Sequence, residues 1–332
     1  MTLSSAFSVF HRLAACVAVS SVSMLAVPAL AQSSNWPTKS VKILVGSPPG
    51  APSDITARLV ADALSKRNGH PAVVENRPGA GNNLAASVAA NAEADGHTLV
   101  LIPDTVLTVN PLIYGTQRFD ARKDLVSVSV VASFSQMLVC HPSVGVKTVS
   151  ELVEKSKKER ITYGSGGPGV PGHLAAEMFL QASGGTMDHV PYRGPAPATQ
   201  AVLAGEVNCG FLATPTVLPH VTAGKLVALA VSSSTPSPLA PTVPTLATAL
   251  NQPDLDVSFR LLLQAPQGTP APVVAAIEQA VTESMKDEGL RSKLSTNDLL
   301  AQGSTSAEAQ KIMQTEIAKW EPLVKRLELK AN

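Results

Sequence analysis

The 332-residue chain carries 26 Lys and Arg against 25 Asp and Glu, a formal net charge of +1, with 45% hydrophobic and only 4% aromatic residues. That length suffices for about two domains of roughly 100–200 residues, each able to bury a core. A near-neutral chain without a Lys/Arg cluster excludes nucleic acid or an anionic membrane as the main partner, and so few aromatics exclude an extended stacking platform.

Residues 1–31 have the pattern of a secretory signal: a weakly basic start at His11 and Arg12, the apolar stretch LAACVAVSSVSMLAV, and Ala29-Leu30-Ala31 as a small-residue cleavage site. A lipoprotein box at Leu13-Ala14-Ala15-Cys16 fits less well, because the apolar stretch follows the cysteine instead of preceding it. A mature chain beginning at Gln32 is expected. Arg12 is the leader's only formal charge, so its removal leaves 25 basic and 25 acidic residues. No later apolar run approaches the ~20 residues needed to cross a bilayer, and a soluble mature protein is expected.

Strand-like and helix-like segments then alternate, which predicts an α/β fold with largely parallel sheets. VKILVG is apolar nearly throughout, as a doubly covered strand should be, and the helix after it places Ile55, Leu59 and Ala63 at i, i+4, i+8 before Gly69 stops it. PAVVEN is a short strand, Pro78-Gly79-Ala80-Gly81 a turn, and the alanine-rich helix that follows has Leu84 and Val88 on one face. HTLVLI is a third strand, and VSVSVVAS marks the first crossover into a second domain. That domain repeats the opening logic with a helix from Ser150 to about Glu159, the strand ITYG, the turn SGGPGVPG and the helix HLAAEMFLQAS. VNCGFL and KLVALAVS are further strands, and the Ser/Thr/Pro-rich stretch from Ser232 to Pro244 reads as an irregular surface segment or part of the return path. Back in the first domain, a helix with Thr269 as cap and Pro270 in the first turn is expected, with the row Val273, Ile277, Val281 and Met285. Thr305 and Glu308 form a capping box for a last helix whose row Met313, Ile317, Trp320, Val324 and Leu327 reads as core, and which Pro322 should kink or end.

Cys140 and Cys209 lie in the apolar runs MLVC and VNCGFL. An oxidising compartment permits a bridge, but two buried thiols on separate strands is the favoured reading.

The chemistry concentrates in two glycine-rich turns. GSPPGAPSDITARL leaves the first strand at its carboxyl end, where open α/β sheets bind ligands. Pro48 and its neighbouring prolines fix the turn, which leaves the amides of Gly50, Ala51, Ser53 and Asp54 to point outward at a helix N-terminus, where roughly half a positive charge collects. Asp54, as an acidic cap, would organise the turn while the amides before it face an anion. Alone, this is no more than a capped helix start. The device recurs in GSGGPGVPGH, where Ser165, Gly166 and Gly167 again follow a strand and precede a helix, with almost no side chains to hinder the backbone. Two such turns facing one cleft would grip a small carboxylate by amides and by the hydroxyls of Ser47, Ser165 and Thr105. Tyr192 would form a wall of the pocket, or simply pack in its loop.

Two enzymatic readings compete. Gly164, Gly166 and Gly169 match G-x-G-x-x-G, with Asp188 placed for a ribose, but Pro168 and Pro171 disturb the helix start that a pyrophosphate needs. Ser165 with His173 is the one tempting hydrolytic pair, without a G-x-S-x-G elbow. The histidines form no H-x-x-x-H pair and the cysteines are too few for a cluster, so neither metal nor cofactor is expected.

In order along the chain, WPTKSVKILV, PPGAPSD, VVENRPGAGNN, ADGHTLVL, NPLIY, FDARKDL, YGSGGPGVPGH, VPYRGPAPA, LAGEVN, AGKLVALAV, PTVPTLA, APQGTP and a late KW resemble the Bug-type (TctC-like) periplasmic solute-binding receptors of tripartite tricarboxylate transporters. The resemblance covers essentially the whole mature chain. It implies a two-domain periplasmic-binding-protein clamshell, type II-like, with domain 1 at 32–131 plus 256–332 and domain 2 at 132–255. It implies a periplasmic, monomeric receptor of a Gram-negative bacterium that binds a small organic carboxylate without catalysis. Such a receptor passes its ligand to membrane subunits of the transporter, or reports it to a sensor. Carried over, Ser47 to Asp54 and Ser165 to Gly167 would hold the carboxylate. Gly46-Ser47 stands where Pro and an aromatic are usual, which implies a wider, more polar pocket. Ala51 replaces a usual glycine, so its φ should be negative. Arg260 replaces a usual aromatic and either pairs with a second ligand carboxylate or lies on the surface.

Overall fold

The computed structural model describes residues 35–115 and 119–330; the expected signal at 1–31 lies outside them. In chain order the strands are β1 (Val41–Val45), β2 (Ala72–Asn76), β3 (Thr98–Pro103), β4 (Leu125–Phe134), β5 (Gln136–Cys140), β6 (Thr162–Ser165), β7 (Asp188–Pro191), β8 (Cys209–Ala213), β9 (Val227–Val231), β10 (Phe259–Pro266) and β11 (Leu300–Ala301). They make two sheets, ordered β11-β4-β10-β3-β1-β2 and β7-β6-β8-β5-β9. β1 runs parallel to β2 and β3, whereas β10 is antiparallel to β3 and β4, and β11 to β4. In the second sheet β6 is parallel to β7 and β8, and β5 antiparallel to β8 and β9. Both sheets are therefore mixed instead of mainly parallel. Parallel neighbours are joined by helical crossovers, while the strands that carry the chain between sheets, β4 to β5 through Ser135 alone and β9 back to β10, lie against their neighbours in the opposite sense.

β1 is covered on both faces. Val41, Ile43 and Val45 belong to one core and Leu44 to another. The helix Pro52–Asn68 turns Ala57, Val60, Ala61 and Leu64 inward, and the expected row Ile55, Leu59, Ala63 lies half-buried at its margin. The helix Asn83–Ala90 packs Ala85, Ala86 and Ala89 on the other face, and leaves Leu84 and Val88 exposed. Small side chains let its backbone approach the sheet closely, so the bulky residues end up outside.

Several local expectations need correction. Cys140 and Cys209 sit opposite each other in the β5–β8 register and form a disulfide, their Cα atoms 4.0 Å apart. The strands were legible, but the pairing that decides the oxidation state was not. Thr269 does not cap: its hydroxyl donates to Pro266 O, and the helix Ala271–Ser284 starts after Pro270. The last helix, Ser306–Arg326, has both halves of its capping box and runs on through Pro322, flanked by buried Trp320, Leu323 and Val324. Burial on either side of the proline outweighs one lost backbone bond. The 232–244 segment is irregular and lies on the return path from β9, as expected; Ser234, Thr235 and Pro236 are exposed, while Ser232, Ser233, Ser237 and Ala240 are buried and the Ser237 hydroxyl donates to Asp298.

Candidate functional site

The first turn leaves β1 at Gly46, where a Cβ would lie 2.5 Å from Asn82 Cβ; only glycine permits this contact. Gly50 takes φ 85° and Ala51 φ −73°, the negative value expected of it. Asp54 is buried and accepts from the Gly50 amide at 2.9 Å, Asn76 Nδ2 at 2.9 Å and Arg58 Nε at 3.1 Å. Burial pushes its carboxyl up, but the bonds from Arg58, Gly50 and Asn76 outweigh this and hold it below the ordinary range. Asp54 is thus the organiser of the turn. The amides of Gly50 and Ala51, expected to face a ligand, serve the turn itself, the second donating to Pro48 O at 3.3 Å. Ser47 and Ser53 share a hydroxyl–hydroxyl bond of 2.5 Å. Among the described residues the amides of Ser47, Ser53 and Asp54 find no acceptor, the last two in the first turn of the helix, where such donors remain.

The second turn leaves β6 at Ser165, which is buried. Its Oγ lies 2.6 Å from His189 Nε2 and accepts the Gly167 amide at 3.2 Å. The partner of Ser165 is therefore His189 and not His173, which accepts the Gly169 amide on Nδ1 at 3.0 Å. The Gly166 amide has no acceptor among the described residues. Gly166 is also tightly overlaid: a Cβ there would lie 2.8 Å from Pro195 N. Tyr192 N donates to Ser165 O at 2.8 Å and Gly194 N to Gly166 O at 3.1 Å, which pins the 192–195 segment over the turn. Half-buried Tyr192 lies beside Gly164, and Thr105 is buried at the end of β3 with no side-chain partner among the described residues.

Beneath this turn the rings of His173 and His189 stack at 4.0 Å, with Tyr163 4.9 Å from His189. Burial, and then the neighbouring His189, depress His173 to about 3, and burial depresses His189 to about 4, so both imidazoles are neutral at physiological pH. The Tyr163 hydroxyl donates to Glu177 at 2.6 Å. Glu177 Oε1 also lies 3.9 Å from His173 Nε2 at the edge of the stack, and the Ser165 hydroxyl, between His189 and Gly167 O at 3.1 Å, is committed within the protein.

The two turns share a wall. Asn82 backs onto Gly46; Asn110 Nδ2 donates to Gly81 O at 2.9 Å and to Asn83 Oδ1 at 2.8 Å; and a Cβ at Gly169 would meet Ile113 Cδ1 at 2.5 Å. Residues 79–83 and 109–114 thus bridge 46–54 to 166–170. Sequence reasoning passed over Asn82 and Asn110, although NPLIY and PGAGNN stood among its motifs.

Arg260 is half-buried and paired within the protein. Its side chain is 16% exposed, with Nη1 3.0 Å from Glu316 Oε1 and Nη2 3.5 Å from Asp256 Oδ2. Glu316 also holds Lys319 and accepts from Trp320 Nε1 at 3.0 Å. Close by, Asp104 is fully buried; burial, then the charge of Glu316, push it up to about 7 against the pull of Arg260. Among the described residues no group of three or more His, Cys, Asp or Glu is placed to hold a metal, and no helix is long and apolar enough to cross a membrane.

Comparison with known proteins places these features in context. The family model described as "Tripartite tricarboxylate transporter family receptor" matches residues 56–329. BugT of Bordetella pertussis is 30% identical over 298 residues, covering 87% of this chain and 90% of its own. A Cupriavidus necator protein encoded in a gbd 5′ region is 32% identical over 285 residues, 85% of each chain. Among solved structures, a periplasmic transporter at 32% identity has a TM-score of 0.78, covering 89% of this chain and 99% of its own. Rpa4515 of R. palustris with adipate is 30% identical with a TM-score of 0.79, over 87% and 97% of the two chains. MatC of Rhodopseudomonas palustris with bound malate is 27% identical with a TM-score of 0.74, over 87% and 99%. The chain therefore belongs to the tripartite tricarboxylate transporter receptor family, as a solute-binding receptor of the periplasmic-binding-protein fold and not an enzyme.

Proposed function

We propose that this receptor captures a small organic carboxylate between the turns at 47–54 and 165–167 and delivers it, in the periplasm of a Gram-negative cell, to membrane subunits of a tripartite transporter. The observation that carries the reading is the set of unanswered amides at Ser47, Ser53, Asp54 and Gly166, on two side-chain-poor turns that share one wall. A carboxylate supplies the acceptors that these donors lack, and the helix N-terminus at Ser53 favours its charge. Adipate on Rpa4515 and malate on MatC support a dicarboxylate as ligand class. We assign 32–131 with 256–332 to one lobe and 132–255 to the other, closing about the β4–β5 and β9–β10 crossings by hinge motion.

Calorimetric titration with adipate, malate, a monocarboxylate, an amino acid and NAD tests this. Saturable binding of at least one carboxylate, with a matching rise in Tm, is expected; binding of NAD alone contradicts the reading.

A further inference from the structure

The two turns and their shared wall, residues 46–54, 79–83, 109–115 and 165–170, contain no Lys or Arg. Their donors are amides and hydroxyls, so the second negative charge of a dicarboxylate finds no cation there. Arginines bordering the site are already spent: Arg58 on Asp54 and Asn76, Arg77 on Glu75, and Arg260 on Glu316 and Asp256. Arg193 is different. It lies in the 192–195 segment pinned over the second turn, it is exposed, and its guanidinium has no hydrogen bond or ion pair among the described residues. Gly194 N donates to Gly166 O at 3.1 Å, which places the Arg193 Cα within about 6 Å of that oxygen. The backbone bonds from Tyr192 and Gly194, two residues apart, carry the strand spacing of β7 past its end. Val190 and Tyr192 pack into the core on one face of the sheet, and His189 stacks on His173 of the helix Pro171–Ser183 on the other. By alternation Arg193 shares the face of His189, where Gly169 donates to His173 and lies beside Ile113 of the wall.

We propose that Arg193 sets the specificity of this receptor: at the rim of the carboxylate site, it binds the second carboxylate of a dicarboxylate whose first is held by the turn amides. The inference rests on the carboxylate reading above and supplies the residue that would make a dicarboxylate the preferred ligand. A planar guanidinium offers a carboxylate two parallel N–H donors, and an unpaired one gives up no existing bond in doing so. Its reach, roughly 6 Å from Cα to guanidinium, suffices to meet a carboxylate that stands away from Gly166 by the length of a short diacid. An exposed cation at the rim also speeds capture of a dianion at low salt.

Calorimetric titration with two matched pairs, adipate with hexanoate and malate with β-hydroxybutyrate, in each of which a methyl replaces one carboxyl, tests this. The wild type should bind the diacid of at least one pair about tenfold more tightly than its monoacid. Arg193→Gln should weaken that diacid about tenfold and leave the monoacid unchanged, while Arg193→Lys, which keeps the charge but not the fork, should retain part of the preference. Because Arg193 is exposed, both variants should fold with the wild-type Tm. Equal losses for both members of a pair, as a merely structural role would give, overturn the inference. A diacid preference untouched by Arg193→Gln, or a wild type that binds both members alike, does the same while leaving the carboxylate reading standing. Binding of no carboxylate by the wild type overturns that reading and this inference with it.

Discussion

Replacing Asp104 by Asn probes the buried charge cluster that it forms with Arg260 and Glu316. The Asp104 carboxyl titrates at about 7 in the folded protein against an ordinary value of 3.8. Between those values the folded chain holds a proton that the unfolded chain has released. Stability contributed by Asp104 is therefore complete below about pH 4 and is lost as pH rises through 7, at about 1.4 kcal/mol per unit. Three units of difference amount to about 4 kcal/mol. The attraction of Arg260, which draws the carboxyl down, is already contained in that figure. Asp104→Asn removes the charge at nearly constant shape, so it should stabilise the protein by about 3 kcal/mol at pH 8 and by almost nothing at pH 4. Urea unfolding at both pH values measures the difference. A variant destabilised equally at every pH would show that the carboxylate is ionised and well paired, and would refute the reasoning.

The histidine stack acts in the opposite sense. His173 and His189, at about 3 and 4, stay neutral while unfolded imidazoles charge below about 6.5, so their contribution is present above 6.5 and lost as pH falls. Near pH 5 the loss is about 3 kcal/mol after discounting the exposed part of His189, and NMR titration should find both rings neutral there; a midpoint near 6.5 would contradict this. Because this slope opposes that of Asp104, Asp104→Asn should also steepen the acid loss of stability. Gly166→Ala, whose Cβ would strike Pro195 N at 2.8 Å, should cost about 2 kcal/mol and weaken carboxylate binding, read by thermal melting and calorimetry. Reduction of Cys140–Cys209, which closes a loop of sequence separation 69, should lower stability by about 3 kcal/mol in urea unfolding with and without reductant.

Much of the architecture was legible because it follows local pattern. Apolar runs such as VKILV became doubly covered strands, and glycine-rich turns after β1 and β6 led into helices as expected. What periodicity does not carry is which polar atom answers which. The Gly50 amide goes to Asp54 four residues on, whereas Ser165 meets His189 and Arg260 meets Glu316 across long stretches of chain that only the fold brings together. The disulfide depended on the β5–β8 register in the same way. Leu84 and Val88 show a different limit: spacing identifies a face, but whether the alanine or the leucine side approaches the sheet is decided by how close the helix must come.

The central claim is that amides left unanswered on two turns grip one carboxylate. Titrating 15N-labelled protein with adipate, or with whichever carboxylate binds, tests it most directly. The largest amide shifts are expected at Ser47, Ser53, Asp54 and Gly166 together, saturating at one common concentration. Saturable binding with those four amides unmoved, or shifts confined to one turn, would contradict the account.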